Sequence, residues 1–485
     1  MSTVSTTKNI SYWIHVIISL FFMFVFGRIV PAVDPLTPVG MNVLGIFIGL
    51  IWAWSFVSMA WPSVIGFIAL GFSGATQVNA AFAAGMGDYT NVLLVLFCMA
   101  YGAYLNDTGL SKTIAYWFLT RKICIGRPWV LTLMVLVAGF ALGFFVSAFA
   151  AVILMWGILY SMAEVLGIDE NDKYLGAMIV GVVIAVDLGI MPLPYKPVPI
   201  VCINGLSETL GITMNVAKFA VLKGSMAVIV LLLFFLAMKY VFRIDVSKLK
   251  NAGDIFDQYR GHKMSGEEKI AAVSLVVFFF MLFFPSFVEN NIVSRVLNTI
   301  GTTGCVALML AVLCAVPYKG KKLCNYATAI KNGVNWDVIL LLAVTIPLGS
   351  ALTNPDSGIM AFLRQFLTPI VSNLSPFMFA LVILTFGLIM TQFAHNIALA
   401  NVLIVIMLPF CEVTGANPET MTVLLSWVLA LAMGSPAAAP LAALLFGNKN
   451  GLKTKDCYIY TWAFIVIVFV CTICIGYPLG NLLFR

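Results

Sequence analysis

The stretch DLGIMPLPYKPVP, residues 187–199, decides the fold, because it interrupts a long apolar run with four prolines, one acid and one lysine. A proline has no backbone N–H to donate, so Pro192, Pro194, Pro197 and Pro199 forbid a continuous helix. Irregular backbone at membrane depth is tolerated only where protein or a water-filled cavity surrounds it. The stretch therefore predicts a broken membrane helix that borders a binding cavity.

The composition fixes the class of protein. Hydrophobic residues make up 62% of the 485 residues, charged residues only 10%, and the mean hydropathy is +1.04. Soluble domains are about 45–50% apolar, so the chain is predicted to be an all-α polytopic membrane protein. The first apolar run, residues 10–26, has no small-residue cleavage pattern and predicts a spanning helix rather than a signal peptide.

Hydropathy predicts eleven spans and two further apolar stretches, 130–162 and 377–410. Each of these two stretches is too long for one crossing and too short for two comfortable ones, which predicts re-entrant hairpins. The eleven spans lie near residues 10–28, 41–57, 59–73, 89–118, 176–205, 222–242, 270–288, 298–317, 337–353, 420–447 and 457–482.

The basic residues predict the orientation. With a cytoplasmic N-terminus, 20 of the 27 Lys and Arg residues fall in cytoplasmic connections, while Lys218 and Lys223 are among the six on the other side and Lys196 stays within an apolar segment. Positively charged loops face the cytoplasm, so we expect a multi-pass protein of the cytoplasmic (inner) membrane with its N-terminus inside and its C-terminus outside. The count holds only if both hairpins return to the side they entered.

The order of elements repeats along the chain. In each half a span precedes a hairpin, and the hairpin precedes a broken span, near 187–199 in the first half and near 434–442 in the second. An odd number of spans puts the two hairpins on opposite faces, so the halves are predicted to be inverted repeats, which is typical of secondary transporters. The predicted regions are an N-terminal helix (1–40), a first repeat (41–242), a cytoplasmic loop (243–269) and a second repeat (270–485).

This order of elements resembles the divalent anion/sodium symporters, a family that carries dicarboxylates, citrate or sulfate. LIWAWSFVSMAWPSVIGFIALGF, residues 50–72, is similar to the Trp-rich second span of that family and its proline turn. GLKTKDCYIYTWAFIVIVFVCTICIGYPL, residues 451–479, is similar to its closing loop and final span. The resemblance implies an elevator-type homodimer in which Ser-Asn-Thr hairpin tips and Thr-Pro-Pro-Asn-like turns bind sodium and substrate carboxylates.

Laid onto this sequence, the family pattern keeps only some of its polar residues. The first tip keeps Ser147, and the second keeps Asn396, preceded by His395. In the first broken span Lys196 stands at the threonine position, followed by the retained Pro197.

The second broken span keeps Pro436 and Pro440, whereas Ala439 and Ala442 stand where threonine and asparagine are usual. A hard cation needs several oxygen ligands, so the depletion brings the family's sodium coupling into question. The metal ligands stay unknown, Na⁺ and H⁺ both stay open as coupling ions, and no other cofactor is expected.

Lys196 suggests what replaces the cation. Its ammonium is a compact positive charge that could hold an anion permanently, as a bound sodium ion does reversibly. Asp187, in the same interrupted span, is the expected counter-ion or a proton carrier, since ionisable residues inside a membrane indicate function by default. The alternatives are a structural Asp187–Lys196 pair and a lysine that snorkels to the interface.

His395 and Asn396 begin the returning arm of the second hairpin. A helix that starts there would present free N–H groups and its positive dipole end to an anion, and the imidazole would add a donor that titrates near neutral pH. The alternative is that both residues only cap the helix.

The sequence therefore predicts a secondary active transporter of small organic anions, di- or tricarboxylates. The alternative is a sodium-independent exchanger or proton-coupled carrier of sulfate, phosphate or a monocarboxylate. An integral-membrane enzyme ranks lower, because the histidines (His15, His262 and His395) lie far apart and no Asp-rich motif occurs. The expected partners are the anionic solute, the lipid bilayer and a second copy of the chain, but no nucleic acid.

Overall fold

A computed structural model describes residues 6–88, 92–145, 148–170, 172–249, 264–288, 291–393, 396–436, 438–448 and 450–485. The described chain is almost entirely helical. The first half forms α1 (Thr6–Phe21), α2 (Gly27–Ile29), α3 (Pro38–Phe56), α4 (Ala60–Phe72), α5 (Val78–Met86), α6 (Leu94–Asp107), α7 (Leu110–Leu119), α8 (Pro128–Phe145), α9 (Ala148–Val165), α10 (Lys173–Ile190), α11 (Pro197–Leu210) and α12 (Val216–Leu236).

The second half continues the helical pattern with one small exception. Two short antiparallel strands, β1 (Pro317–Tyr318) and β2 (Lys321–Lys322), form a hairpin. The helices are α13 (Gly266–Phe287), α14 (Ile292–Ala315), α15 (Tyr326–Gly333), α16 (Trp336–Thr353), α17 (Ile359–Val371), α18 (Pro376–Met390), α19 (Asn396–Thr414), α20 (Pro418–Ala430), α21 (Pro440–Gly447), α22 (Thr454–Cys471) and α23 (Tyr477–Leu483).

Ten helical stretches of the described chain are long and apolar enough to cross a membrane. The protein is thus an all-helical polytopic membrane protein, as its composition predicts. The ten stretches are Ser11–Ile29, Pro38–Phe56, Pro128–Phe145, Ala148–Val165, Lys173–Ile190, Val216–Val241, Gly266–Phe287, Ile292–Ala315, Trp336–Thr353 and Thr454–Leu483.

Both predicted broken spans are broken. Helix α10 ends at Ile190 and α11 begins at Pro197, while α20 ends at Ala430 and α21 begins at Pro440. Proline is favoured at the first position of a helix, because its missing N–H has no partner there in any case. The prolines thus end one helix and start the next.

Each of the two predicted hairpins is a pair of helices. For the first hairpin, however, the argument from the length of the apolar stretch is wrong. Helices α8 and α9 have 18 residues each, about 27 Å at 1.5 Å per residue, close to the roughly 30 Å of a bilayer core. Two full crossings would therefore also fit. Either arrangement returns the chain to the side it left, so the charge count is unaffected and the re-entrant assignment stays a prediction.

Glycine produces two irregularities that hydropathy does not reveal. The predicted span 89–118 is divided into α6 and α7 at Gly109, whose φ is 84°. Helix α14 is kinked at Gly301, with φ 71°. Glycine adopts positive φ without a steric penalty, whereas a hydropathy average registers only how apolar the residue is.

The chain divides into two compact units. Unit 1 contains residues 1–96, 197–214 and 335–429, and unit 2 contains residues 97–196, 215–334 and 430–485. Each unit takes segments from both predicted repeats, so the predicted domain limits stay a prediction.

In unit 2, α8 packs against α10 through glycines. A Cβ at Gly143 would collide with the carbonyl oxygen of Val186, and one at Gly189 would collide with that of Phe140. Small residues let membrane helices approach closely, where lipid supplies no hydrophobic driving force. The contact fixes the last turns of α10, immediately before its break.

The start of α10 is hydrogen-bonded to a connecting loop. Asp172 caps the helix by accepting the N–H of Tyr174 at 2.9 Å and also accepts from Lys248 Nζ at 2.9 Å. This hydrogen bond raises the pKa of Lys248, so the ammonium stays charged at neutral pH. The loop after α12 is thereby held at the start of α10.

We predict that Gly143→Ala destabilises the protein by about 1–3 kcal/mol, the usual range for an overpacked core. Gly157, in α9, is the matched control, because nothing lies within 4 Å of a Cβ placed there. Thermal unfolding of the purified variants should show a lower midpoint for Gly143→Ala and an unchanged or slightly higher one for Gly157→Ala. Equal midpoints would contradict the proposed packing of α8 on α10.

Candidate functional site

The predicted site residues fall in both units. Asp187, Lys196, Pro436 and Pro440 belong to unit 2, and Pro197 and Asn396 belong to unit 1. Ser147 and His395 lie outside the described residues. The structure therefore bears on six of the eight, in two separate sets.

In unit 1, the helices headed by the two predicted residues pack against each other. Helix α11 begins at Pro197 and α19 begins at Asn396. They meet at Gly205, where a Cβ would lie 2.7 Å from Cγ1 of Ile404. The glycine at residue 205 permits the close approach of the two helices. Gly205 and Ile404 lie at the same distance from the starts of their helices, and each helix begins with a predicted site residue.

Asn396 caps its own helix. Its side-chain oxygen accepts the N–H of Ile397 at 2.9 Å, and Asn401 donates through Nδ2 to the Ile397 carbonyl at 2.9 Å. The bond of Asn396 uses its acceptor and none of its two amide N–H donors. Asn396 can therefore cap the helix and bind an anion at the same time, since an anion would accept hydrogen bonds from its amide N–H groups.

Unit 1 also contains a cavity that sequence reasoning missed. It has an empty volume of about 530 Å³, bordered by α3, α11, α16 and α19. Its polar side chains are Asn204, Glu208, Thr345 and Asn401. Asn204 and Glu208 are four residues apart, hence on one face of the helix that follows the first break, which was the available signal.

This cavity does not suit an anion by itself. Glu208 lies within electrostatic range of Asp88, so the local charge is negative. The hydroxyl of Thr345 donates its proton to the Leu342 carbonyl at 2.7 Å, so it is a weak hydrogen-bond donor to a ligand. We therefore do not assign the substrate anion to this cavity.

In unit 2, Lys196 occupies the residue directly before the second limb of the broken span. It is half-buried, and its Nζ lies 5.7 Å from the ring centroid of Tyr195. Tyr195 is buried and packs edge-on against Phe278, with the centroids 5.6 Å apart. An aromatic face within about 6 Å of an ammonium stabilises its positive charge without neutralising it.

The second break, also in unit 2, leaves a helix end without a side-chain cap. Ala439 precedes Pro440 at the start of α21 and makes no capping bond, while Pro436 is exposed in the preceding turn. Ala438 and Ala442 are buried in an apolar cluster. No side chain at residue 439 therefore accepts a hydrogen bond from the first N–H groups of α21. The family resemblance implies threonine at this residue.

Asp187 lies within electrostatic range of a lysine on another helix, Lys223. Its carboxylate, 6% exposed, interacts electrostatically with Lys223 of α12, and no ion pair joins it to Lys196 among the described residues. Helix α12 passes the break itself, since a Cβ at Gly224 would contact Pro192 at 3.5 Å. A lysine of a neighbouring helix thus lies near the acid of the broken span.

The sequence prediction for Lys223 is wrong. It was assigned to an outer connection, but it lies inside α12 with no exposed surface, its Nζ 4.9 Å from the Phe219 ring centroid. A charge count treats each lysine near a span end as a loop residue and does not register a carboxyl group on another helix. The apolar neighbours of Lys223 on both sides were the signal that could have revealed it.

We predict that Asp187→Asn and Lys223→Met each destabilise the protein by about 3–5 kcal/mol, because each leaves one buried charge uncompensated. The double variant should lose less than the sum, since it removes both charges. Lys173→Met, an exposed lysine on the first turn of α10, is the control and should change stability by no more than about 0.5 kcal/mol. Denaturant unfolding in detergent measures all four; additive losses would show that the two side chains do not interact.

A relative and a solved structure resemble this chain. Over 352 residues it is 22% identical to the "Sodium-dependent dicarboxylate transporter SdcS" of Staphylococcus saprophyticus, a match that covers 68% of this chain and 66% of that protein. The fold is similar to the crystal structure of the Alcanivorax borkumensis YdaH transporter, with a TM-score of 0.54, 12% identity, and 97% and 98% of the two chains covered. At such identity the structural likeness concerns the fold alone.

The family described as "Sodium:sulfate symporter transmembrane region" matches residues 9–485, nearly the whole chain. The predicted resemblance is confirmed, and the protein belongs to the divalent anion/sodium symporter family of membrane transporters.

Proposed function

We propose that this protein is a secondary active transporter that carries small organic anions, di- or tricarboxylates, across the cytoplasmic membrane. The observation that carries the proposal is Lys196, a half-buried ammonium held by an aromatic ring at the break of a membrane span. A fixed positive charge at such a position favours an anionic solute. Membership in the family and the dicarboxylate named for the staphylococcal relative support the same class.

The proposal uses helix starts within each unit, considered unit by unit. Pro197 and Pro440 begin α11 and α21, and Asn396 begins α19. The first N–H groups of a helix and its positive dipole end attract carboxylates. Ser147 and His395 complete the proposed set from the hairpin tips, on the family resemblance alone.

Coupling is proposed to differ from the sodium coupling of the family. Alanine at residues 439 and 442 and lysine at residue 196 replace side chains that would supply oxygen ligands. Lys196 then provides by itself the positive charge that sodium would bring. Exchange or proton coupling therefore ranks above sodium symport.

Sulfate is the second candidate substrate, because the matching family is described as sodium:sulfate symporters. It is a divalent anion that the same helix starts could bind. The remaining elements of the proposal are an elevator movement, a homodimer, and a topology with the N-terminus inside and the C-terminus outside.

The substrate class is tested by uptake into proteoliposomes that contain the purified protein. We expect saturable uptake of labelled succinate or citrate, stimulated by the same anion inside the vesicles. Empty liposomes and the Asp187→Asn variant supply the background and a destabilised reference. Failure of every di- and tricarboxylate, with sulfate transported instead, would select the second candidate; failure of all of them would overturn the proposal.

Lys196 is tested by substitution. We expect Lys196→Ala to reduce carboxylate uptake at least tenfold, because one buried charge-assisted hydrogen bond contributes about 1.5–3 kcal/mol. Lys196→Arg keeps the charge and should retain part of the activity, whereas Lys173→Ala, at an exposed site on α10, should behave like the parent. Unchanged uptake by Lys196→Ala would refute the role given to this residue.

Sodium dependence is tested in the same vesicles. We expect uptake to change less than twofold when sodium replaces potassium, and the triple variant Lys196→Thr/Ala439→Thr/Ala442→Asn to gain stimulation by sodium. Choline in place of either ion controls for ionic strength. A steep rise of uptake with sodium in the parent protein would disprove the loss of sodium coupling.

A further inference from the structure

A groove between α13 and α14, both in unit 2, is not used by the proposed transport function. Its empty volume is about 790 Å³. The lining is apolar and comes from both helices and the segment after β2: Ile270, Val273, Ser274, Val277, Met281, Leu308, Met309, Val312, Leu313, Val316 and Leu323.

The groove presents no free polar group of its own. Ser274 is its one polar lining residue, and the Ser274 hydroxyl is hydrogen-bonded to the Ala271 carbonyl at 2.8 Å and to the Tyr101 hydroxyl at 2.9 Å. Val273, Val277 and Val312 are 62%, 40% and 47% exposed. A groove of this kind in a membrane helix pair is filled by an apolar chain rather than by water.

The length of the groove matches one leaflet. Along α13 it runs from Ile270 to Met281, about 16 Å at 1.5 Å per residue, which is roughly half of the 30 Å hydrocarbon core. Along α14 and the residue that follows it, the groove runs from Leu308 to Val316, which is shorter than one leaflet. The groove thus accommodates an acyl chain of a single leaflet and does not cross the bilayer.

One end of the groove is positively charged. Val316 and Leu323 flank the β1–β2 hairpin, which exposes Lys319, Lys321 and Lys322. The hairpin lies at the start of α13, because the hydroxyl of Tyr318 contacts Gly266. Three lysines therefore lie where the headgroup of a lipid in the groove would be.

The acidic residues at this end do not cancel that charge. Glu268 is buried, forms the capping box of α13 with Ser265 and accepts from Thr113 at 2.8 Å. Glu267 is exposed and is offset by the exposed Lys269 in the same turn, which leaves Asp107, exposed and within electrostatic range of Cys324, against the three hairpin lysines. The hairpin lysines remain as a net positive cluster among the described residues of this end.

From the leaflet-length apolar groove and the lysine cluster at its end, we propose that α13, α14 and the β1–β2 hairpin form a binding site for one anionic phospholipid. Its acyl chain lies in the groove, and its phosphate is bound by the hairpin lysines. Basic pockets between membrane helices recognise anionic headgroups in this way. By the predicted orientation this lipid belongs to the cytoplasmic leaflet.

Native mass spectrometry of the delipidated protein in detergent, titrated with phosphatidylglycerol or phosphatidylcholine, tests the site. We expect one retained phosphatidylglycerol per chain with at least tenfold preference over phosphatidylcholine, since each lysine near an anionic surface contributes roughly a fivefold factor. Lys319→Gln/Lys321→Gln/Lys322→Gln should reduce this preference at least fivefold. The control Lys173→Gln/Lys453→Gln/Lys455→Gln removes the same charge from exposed sites elsewhere and should keep it.

The groove itself is tested by filling it. Val277→Trp should abolish retention of both lipids, whereas Val276→Trp, the adjacent residue of α13 that does not line the groove, should leave it unchanged. Circular dichroism and the oligomeric mass of each variant exclude unfolding. Equal retention of the two lipids, a preference that survives the hairpin substitutions, or conversion of a dimer to a monomer by Val277→Trp would overturn the proposal; the last outcome would make the groove a subunit contact.

Discussion

Backbone hydrogen bonding is the constraint on which the rest of this structure depends. In the lipid of a bilayer no water replaces a lost helical bond, so a broken span must be enclosed by protein or line a water-filled cavity. The chain meets this requirement around the first break in unit 2, where glycines bring α8 against the end of α10 and α12 passes beside Pro192. The proline-rich segment is therefore tolerated because neighbouring helices surround it.

Two lysines near this break, Lys223 and Lys196, differ in their surroundings and are given different roles. Lys223 is fully buried and lies within electrostatic range of Asp187. Lys196 is half-buried beside the Tyr195 ring and contributes its charge at the start of α11. Whether Asp187 acts as a counter-ion of Lys196 or as a proton carrier stays a prediction.

Sequence reasoning succeeded where one residue type dictates the backbone. Prolines located both helix breaks, and apolar composition located the membrane helices. It failed where the outcome depends on backbone angles or on a distant residue. The division of α6 from α7 needs the positive φ of Gly109, and the buried Lys223 lies near a carboxyl group on another helix. The re-entrant form of the first hairpin stays a prediction, because apolar length alone does not distinguish a re-entrant hairpin from two crossings.

A built-in cation has a consequence for the transport cycle that a bound one does not. A sodium ion can leave with the substrate, so an empty sodium-coupled carrier returns without the extra charge. The ammonium of Lys196 cannot leave, and an empty site would carry it uncompensated through a medium in which a lone charge is costly. A bound carboxylate compensates that charge during the movement. If the proposed role of Lys196 holds, the loaded carrier would cross more easily than the empty one, which is the physical condition for exchange of one anion against another.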